Sequence, residues 1–149
     1  PRLELAGLIT RAGGERLGDL QPQLARSGDL RALEPAGALA PLAERLARGP
    51  GVMVLALPHG EAQGLWRRLR LELGALAERL TVVDLSADYR LVDPQRYAAV
   101  YGHGHQDAEE LPRFRYALPE LCEPGALRGA ARIAAPGCFA TALQLAARP

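Results

Sequence analysis

The amino-acid sequence predicts an α/β fold of the Rossmann-like, doubly wound kind, built on a mostly parallel sheet. Short apolar runs bounded by turn residues recur along the chain, as expected of buried strands. Amphipathic stretches of helical length lie between these runs. Strands that alternate with covering helices pair in parallel through right-handed crossovers. In such sheets, binding and catalytic groups gather where the strands end at their carboxyl termini.

Apolar runs and helical periodicity predict the following elements. Strands are expected at residues 3–9, 51–57, 81–85 and 132–135. A helix is expected at 38–49, with Pro41 in its first turn and Gly49 as its stop, and a second at 61–80. A third helix is expected after the turn at Pro136-Gly137. Residues 91–121 show no clear periodicity, and we expect them to cross a surface or an interface.

Composition limits the classes of function. The 149 residues suit one domain, and 18 basic against 17 acidic residues leave a net charge of +1, which implies no nucleic-acid partner. No lysine occurs, so a Walker lysine or a pyridoxal Schiff base is excluded within this chain. No apolar stretch reaches 18 residues and no signal peptide is recognisable, so no membrane contact is expected. Two cysteines without CxxC spacing favour a reducing compartment, hence the cytoplasm.

The end of the first predicted strand carries Thr10 and Arg11. A hydroxyl and a guanidinium at this place suit the 2′-phosphate of NADP, whereas an NAD-preferring domain offers a carboxylate to the ribose. The alternative is that the two residues only open the polar loop that follows. The glycine fingerprint GxGxxG is absent, and in a dinucleotide fold it would precede Pro1. We therefore expect the chain to be a piece of a longer protein.

Two further strand ends supply polar candidates. Pro58, His59 and Gly60 begin the second helix, where backbone N–H groups favour an anion such as a pyrophosphate. The alternative for His59 is a polar turn residue without a ligand. After the third strand, Arg90 is a candidate clamp for a carboxylate or phosphate, and Ser86 a candidate hydrogen-bond donor.

The alternative for Arg90 is an ion pair with Asp88 that closes the turn. His103 and His105 lack a convincing third ligand, so no metal site is expected.

The strongest chemical candidate is Cys138, placed where a strand, a turn and a helix meet. A helix N-terminus favours thiolate over thiol, and a thiolate is a nucleophile. Gly137 removes side-chain bulk beside it, and backbone donors of the turn could hold an oxyanion. The alternative is a buried structural cysteine. Residues 132–149 are thus expected to form the nucleophile-bearing strand, turn and helix.

Four motifs together resemble the N-acetyl-gamma-glutamyl-phosphate reductases of arginine biosynthesis: "LALPHG", "VVDLSADYRLVDPQRY", "YALPEL" and "APGCFATA". The resemblance covers nearly the whole chain. It implies a partial NADP-binding domain over residues 1–149 of an enzyme of the aspartate-semialdehyde-dehydrogenase type. It further implies that Cys138 takes the acyl group of an acyl phosphate as a thioester, which NADPH reduces to the semialdehyde.

The resemblance also implies a general-base histidine in a domain after Pro149, so His59, His103 and His105 are not assigned that role. The chain alone is therefore expected to be inactive. We expect the complete protein to be a cytoplasmic homo-oligomer that acts on a small acyl phosphate. The candidate cofactor contacts are Thr10, Arg11, Pro58, His59, Gly60 and Gly137.

Other interpretations stay open at this point. A related reductase of lysine biosynthesis, which acts on a carrier-protein-bound aminoadipyl or glutamyl phosphate, shares most of the motifs. Pro136 favours the arginine enzyme, whereas Phe139-Ala140 departs from the Tyr-Pro that the family usually has after the cysteine. A thiol acyltransferase or hydrolase would use Cys138 without a nicotinamide. A nucleotide-binding module would carry an inert cysteine.

Overall fold

The computed structural model describes residues 4–27 and 30–148. These residues belong to two compact units, Pro1–Ala47 and Arg48–Pro149. The strands are β1 (Leu8–Ile9), β2 (Ala32–Leu33), β3 (Gly51–Leu55), β4 (Leu80–Asp84), β5 (Arg115–Tyr116) and β6 (Arg132–Ala134). The α-helices are α1 (Leu17–Leu20), α2 (Pro35–Arg48), α3 (Ala62–Leu73), α4 (Pro94–Tyr101) and α5 (Cys138–Ala146). Short 3₁₀ helices occupy Pro22–Ser27, Gly74–Arg79, Ala108–Arg113 and Pro119–Leu121.

All strand pairs of the two sheets are parallel. In the first unit β1 pairs with β2, and in the second unit the strand order is β3-β4-β6-β5. Helix α3 connects β3 to the neighbouring parallel strand β4, as a crossover does. The α/β class with parallel sheets is confirmed, whereas the single domain over residues 1–149 stays a prediction.

The predicted strands are present but shorter or shifted. Of residues 3–9, only Leu8–Ile9 pair, and residue 3 lies outside the described residues. Strands β3, β4 and β6 match the runs at 51–57, 81–85 and 132–135 to within one or two residues. The two-residue strands β2 and β5 were not predicted, because two residues are too few to show an alternating pattern.

Both predicted helices of the central region need correction. The helix predicted at 38–49 begins at Pro35, so Pro41 lies inside it and not in its first turn. Pro35 suits the first position because a helix needs no N–H there. The helix predicted at 61–80 ends at Leu73, because Gly74 adopts φ +54°, a left-handed angle that ends the helix. A 3₁₀ helix follows, and Leu80 already belongs to β4.

Helix α4 lies within the stretch that showed no clear periodicity. The side chain of Asp93 accepts a hydrogen bond from the Gln95 N–H at 2.8 Å, which caps the N-terminus. Pro94 occupies the first helical turn, and Gly102 ends the helix at φ +77°. These three residues are the start and stop signals that the apolar pattern alone did not reveal.

The core of the second unit contains a buried arginine. Helix α3 buries Trp66, and the Arg132 guanidinium lies 4.7 Å from the centre of that ring. Arg132 is 1% exposed and donates to the Leu80 carbonyl at 2.7 Å and the Ala77 carbonyl at 3.3 Å. The Glu110 carboxylate lies 3.5 Å from its Nε. These contacts hold α3 and the starts of β4 and β6 together, at the edge opposite the candidate site.

Candidate active site

Three neighbouring strands of the second sheet end side by side. Leu55 of β3 lies opposite Asp84 of β4, and Asp84 lies opposite Ala134 of β6. The loops that follow therefore leave the sheet from one edge, the carboxyl edge. Three side chains each lie four residues beyond these strand ends: the candidates His59 and Cys138, and Asp88.

Cys138 is the first residue of α5, as the strand-turn-helix pattern predicted. Its thiol is free and exposed, and its role as a nucleophile stays a prediction. Gly137 precedes it in extended conformation, and the first backbone bond of the turn runs from the Thr141 N–H to the Gly137 carbonyl at 2.8 Å. The earlier N–H groups of the helix have no acceptor within it. Cys138 thus lies at the positive end of the helix dipole.

Arg90 spans the gap between the end of β4 and the turn before Cys138. Its Nε donates to the Ala135 carbonyl at 2.8 Å, and its Nη2 donates to the Leu85 carbonyl at 3.1 Å. Its Nη1 would lie 3.1 Å from a β-carbon placed on Gly137. The guanidinium is therefore held beside the turn that precedes Cys138 by two strand ends.

The loop that carries Arg90 is fixed by a buried carboxylate. Asp84 is fully buried, and its Oδ1 accepts hydrogen bonds from the Ser86 N–H at 3.0 Å and the Ser86 hydroxyl at 2.7 Å. Its Oδ2 accepts from the Tyr89 N–H at 3.3 Å. Burial raises the pKa of the Asp84 carboxyl. The hydroxyl of Ser86 donates its hydrogen to Asp84. Its role as a hydrogen-bond donor to a substrate stays a prediction.

Asp88 fills the position that the sequence suggested for a bound anion. Its carboxylate accepts from the Gly60 N–H at 2.7 Å and the Gln63 N–H at 3.1 Å, at the start of α3. His59 Nδ1 lies 2.8 Å from the same carboxylate. An ion pair between Asp88 and Arg90, the alternative considered above, is not formed, because the two side chains bind other partners. The N-terminus of α3 is thus occupied by the protein's own carboxylate.

The turn at residues 58–60 is tight. The Glu61 N–H donates to the Pro58 carbonyl at 3.2 Å, and Gly60 adopts φ +88°, which favours glycine. The imidazole of His59 packs against Tyr101 with ring centroids 4.2 Å apart and ring planes tilted by 36°. The three predicted residues of this turn are therefore brought to the carboxyl edge, and their contacts with a cofactor stay predictions.

Thr10 and Arg11 belong to the first unit. The Thr10 N–H donates to the Leu33 carbonyl at 3.0 Å, which continues the pairing of β1 with β2. Its hydroxyl donates to the Glu15 carboxylate at 2.7 Å and accepts from the Gly13 N–H at 3.0 Å, and this donation lowers the pKa of Glu15. Thr10 thus fixes the start of the loop by side-chain hydrogen bonds, whereas Arg11 is exposed on that loop. The cofactor contacts of both stay predictions.

Gln63 is a site residue that the sequence analysis missed. It is fully buried, its Nε2 donates to the Tyr97 hydroxyl at 3.1 Å, and its Oε1 accepts from the Gln106 N–H at 2.6 Å. A polar residue on the buried face of an amphipathic helix was the available signal.

Within residues 4–27 and 30–148, no three acidic, histidine or cysteine side chains form a metal-binding group. No helix in these ranges has the length and apolar character needed to cross a membrane.

This chain is similar to curated proteins that include the following three. A protein of Gloeobacter violaceus named N-acetyl-gamma-glutamyl-phosphate reductase is 39% identical over 150 residues, which is 100% of this chain and 39% of that protein. One of Streptomyces coelicolor with the same name is 38% identical over 153 residues, again 100% of this chain and 39% of the relative. A [LysW]-L-2-aminoadipate 6-phosphate reductase of Deinococcus radiodurans is 46% identical over 98 residues, 66% of this chain and 26% of that protein.

The chain thus spans about two fifths of the length of the first two relatives and about a quarter of the third. No model of a known protein family matches it.

Proposed function

The chain belongs to the N-acetyl-gamma-glutamyl-phosphate reductase family, and from this premise we propose that the complete protein reduces N-acetylglutamyl 5-phosphate to its semialdehyde. One observation carries the proposal: an exposed cysteine begins α5 at the carboxyl edge of a parallel sheet, with a guanidinium held beside its turn. This reaction would place the protein in arginine biosynthesis.

Cys138 is the proposed nucleophile. Its thiolate attacks the carbonyl carbon of the acyl phosphate, the carbon–sulfur bond forms, and inorganic phosphate leaves with the electron pair of the broken carbon–oxygen bond. The oxyanion of the tetrahedral intermediate lies within reach of the unpaired N–H groups that begin α5. The product of this step is a thioester on Cys138. Cys138 leaves again as a thiolate when the aldehyde forms.

Arg90 is the proposed substrate clamp. Its Nε and Nη2 are bound to the carbonyls of Ala135 and Leu85, so Nη1 is the part of the fork that remains for a phosphate or carboxylate. The two backbone contacts fix the direction of the guanidinium before substrate arrives. Preorganised donors of this kind stabilise developing negative charge without reorganisation.

A nicotinamide cofactor, NADPH in our proposal, supplies the hydride when bound. The candidate contacts from this chain are Thr10, Arg11, Pro58, His59, Gly60 and Gly137. Two observations support the fit: Nε2 of His59 has no hydrogen-bond partner among the described residues, and Arg11 is exposed after β1. Arg11 would pair with the 2′-phosphate, which is the reason for NADPH over NADH.

The second candidate substrate is a carrier-protein-bound aminoadipyl phosphate. The relative of Deinococcus radiodurans named [LysW]-L-2-aminoadipate 6-phosphate reductase is 46% identical over 98 residues, which favours this candidate. The chemistry at Cys138 would be the same, and only the group attached to the acyl chain would differ. A direct comparison of the two acyl phosphates as substrates of the complete protein distinguishes them.

The experiment that tests the proposal follows NADPH oxidation by the complete protein in the presence of N-acetylglutamyl 5-phosphate. We expect turnover in the unchanged protein and in Cys122→Ser, and none in Cys138→Ser, because a serine hydroxyl stays protonated. NADPH should still bind to Cys138→Ser. Consumption of the acyl phosphate without any nicotinamide would instead favour a thiol acyltransferase or hydrolase.

The small-molecule substrate, the cytoplasmic location and the homo-oligomer are parts of the same proposal. Two free thiols suit a reducing compartment such as the cytoplasm. Light scattering of the complete protein measures the oligomeric state, and a monomer would contradict the homo-oligomer.

A further inference from the structure

His59 and Asp88 form a carboxylate–imidazole pair at the carboxyl edge. Asp88 is fully buried, and both of its carboxylate oxygens accept backbone N–H groups from the start of α3. A carboxylate used in this way is an acceptor, so the Nδ1 of His59, at 2.8 Å, must donate to it. The hydrogen of a neutral His59 ring is thereby placed on Nδ1.

The rest of the ring is held by aromatic contacts. Its centroid lies 4.2 Å from that of Tyr101, 5.7 Å from that of His103 and 6.0 Å from that of Tyr97. The His59 side chain is nevertheless 34% exposed to solvent. Among the residues that the structure describes, Nε2 has no hydrogen-bond partner, so its lone pair is available to a ligand.

We propose that Asp88 positions His59 so that Nε2 accepts a hydrogen bond from a hydroxyl or amide N–H of the bound nicotinamide cofactor. The inference rests on the function proposed above and deepens it. It names the chemistry that His59 recognises: a neutral donor of the ribose or carboxamide, and not a phosphate. Asp88 is a positioning residue, since it acts through His59.

The Asp88 carboxylate already binds the N-terminus of α3, and this supports a neutral ligand group. The start of α3 is where a phosphate would be expected in the absence of other partners. Two N–H groups there already bind Asp88, whose negative charge would also repel a phosphate. A neutral donor meets no such repulsion, and the acceptor on His59 satisfies it.

The first experiment reads the tautomer of His59 directly. The complete protein is labelled with ¹⁵N-histidine, and two-bond ¹H–¹⁵N spectra are recorded at pH 8, with the His59 signals assigned by their loss in His59→Gln. We expect the hydrogen on Nδ1 of His59. His105 is an internal contrast, because its Nδ1 accepts from the Asp107 N–H at 3.0 Å and its hydrogen belongs on Nε2. A His59 ring with its hydrogen on Nε2 would overturn the proposal.

The same spectra identify the ligand group. Addition of NADPH should shift the Nε2 signal of His59, whereas inorganic phosphate and adenosine 2′,5′-bisphosphate, which lacks the nicotinamide half, should not. A shift produced by phosphate alone would assign His59 to an anion site and overturn the proposal. NADPH-dependent turnover without any shift at His59 would overturn this inference and leave the proposed function standing. No NADPH binding at all would overturn both.

Variants test the energetic contribution without removing the buried carboxylate. His59→Leu removes the acceptor, and the Kd for NADPH should rise about tenfold, as expected for one lost hydrogen bond. His59→Gln retains an acceptor oxygen and should lose clearly less affinity. Arg68→Leu, on the exposed face of α3, is the control and should bind as the unchanged protein does. Equal losses in His59→Leu and His59→Gln would contradict the acceptor role.

Asp88→Ala tests the positioning role itself. If this variant folds, the His59 hydrogen should leave Nδ1, and adding His59→Leu to it should cost little further affinity, because the two residues act as one unit. Additive losses would contradict the coupling.

Discussion

The guanidinium of Arg90 lies directly against Gly137, the residue before the candidate nucleophile. A β-carbon on Gly137 would be 3.1 Å from Nη1 and 3.7 Å from Cζ of that side chain. The guanidinium cannot move away without loss of its bonds to the Ala135 and Leu85 carbonyls, at 2.8 and 3.1 Å. This close approach explains why a glycine suits the turn, since its φ of −72° is open to any residue.

Gly137→Ala should therefore reduce kcat/KM for the acyl phosphate by about tenfold, because a shift of a few tenths of an ångström misplaces Arg90 or Cys138. In an Arg90→Gln background the same substitution should reduce kcat/KM much less, since the guanidinium that an alanine would crowd is gone. Gly49→Ala, where an added β-carbon meets nothing within 4 Å, is the control. Steady-state kinetics of the four Gly137 and Arg90 combinations measure the coupling, and strict additivity would argue against it.

Arg90→Lys keeps the charge and loses the planar fork. A lysine cannot bind both strand-end carbonyls and still present a donor to the substrate, so kcat/KM for the acyl phosphate should fall by about tenfold or more. The Kd for NADPH should stay unchanged. Arg68→Lys, on the exposed face of α3, should leave both constants unchanged. Normal kinetics of Arg90→Lys would return Arg90 to a purely structural role.

Arg11→Asp should weaken the preference for NADPH over NADH. Removal of the cationic partner of the 2′-phosphate, and its replacement by a carboxylate, should lower the ratio of the two kcat/KM values by about tenfold or more. Arg67→Asp makes the same charge change on the exposed face of α3 and should leave the ratio of the two kcat/KM values unchanged. An unchanged ratio in Arg11→Asp would show that the 2′-phosphate is bound elsewhere.

His105 should make folding sensitive to pH. Burial lowers the pKa of its imidazole below the ordinary 6.5, because removal from water disfavours the charged ring. As pH falls through 6.5, the unfolded chain takes up a proton that the folded ring does not. The free energy of unfolding is thus fully retained above pH 6.5 and decreases toward lower pH.

Urea unfolding of the complete protein between pH 8 and 5.5 measures this slope. We expect a shallower decrease in His105→Gln than in the unchanged protein, and no difference for the exposed His103→Gln. Equal slopes in all three proteins would exclude His105 as the source.

The fold class and three principal strands followed from the sequence because apolar strands bounded by turns leave a signal within the chain. The elements that did not follow depend on signals outside that pattern. Strand β5 is only two residues long, and its partner β6 is a separate segment later in the chain. The end of α3 depends on one backbone angle at Gly74, which apolar periodicity does not register.

The candidate site likewise contains features that could be predicted from the sequence and features that could not. The place of Cys138 followed from local order, since a strand, a turn and a helix meet there in sequence. The role of Asp88 did not, because its three partners at His59, Gly60 and Gln63 lie about 25 or more residues away in the chain. Tertiary contacts of this kind have no local signature. The same holds for Arg90, whose carbonyl partner Ala135 is 45 residues distant.

The central claim, that Cys138 carries the acyl group, is tested most directly by mapping the acyl-enzyme. The complete protein is incubated with its acyl phosphate in the absence of NADPH, quenched in acid, digested and analysed by mass spectrometry. We expect one acyl group on the peptide that contains Cys138, removable by hydroxylamine as a thioester is, none on Cys122, and none in Cys138→Ser. An acyl group on another residue, or full reductase activity in Cys138→Ser, would contradict the account.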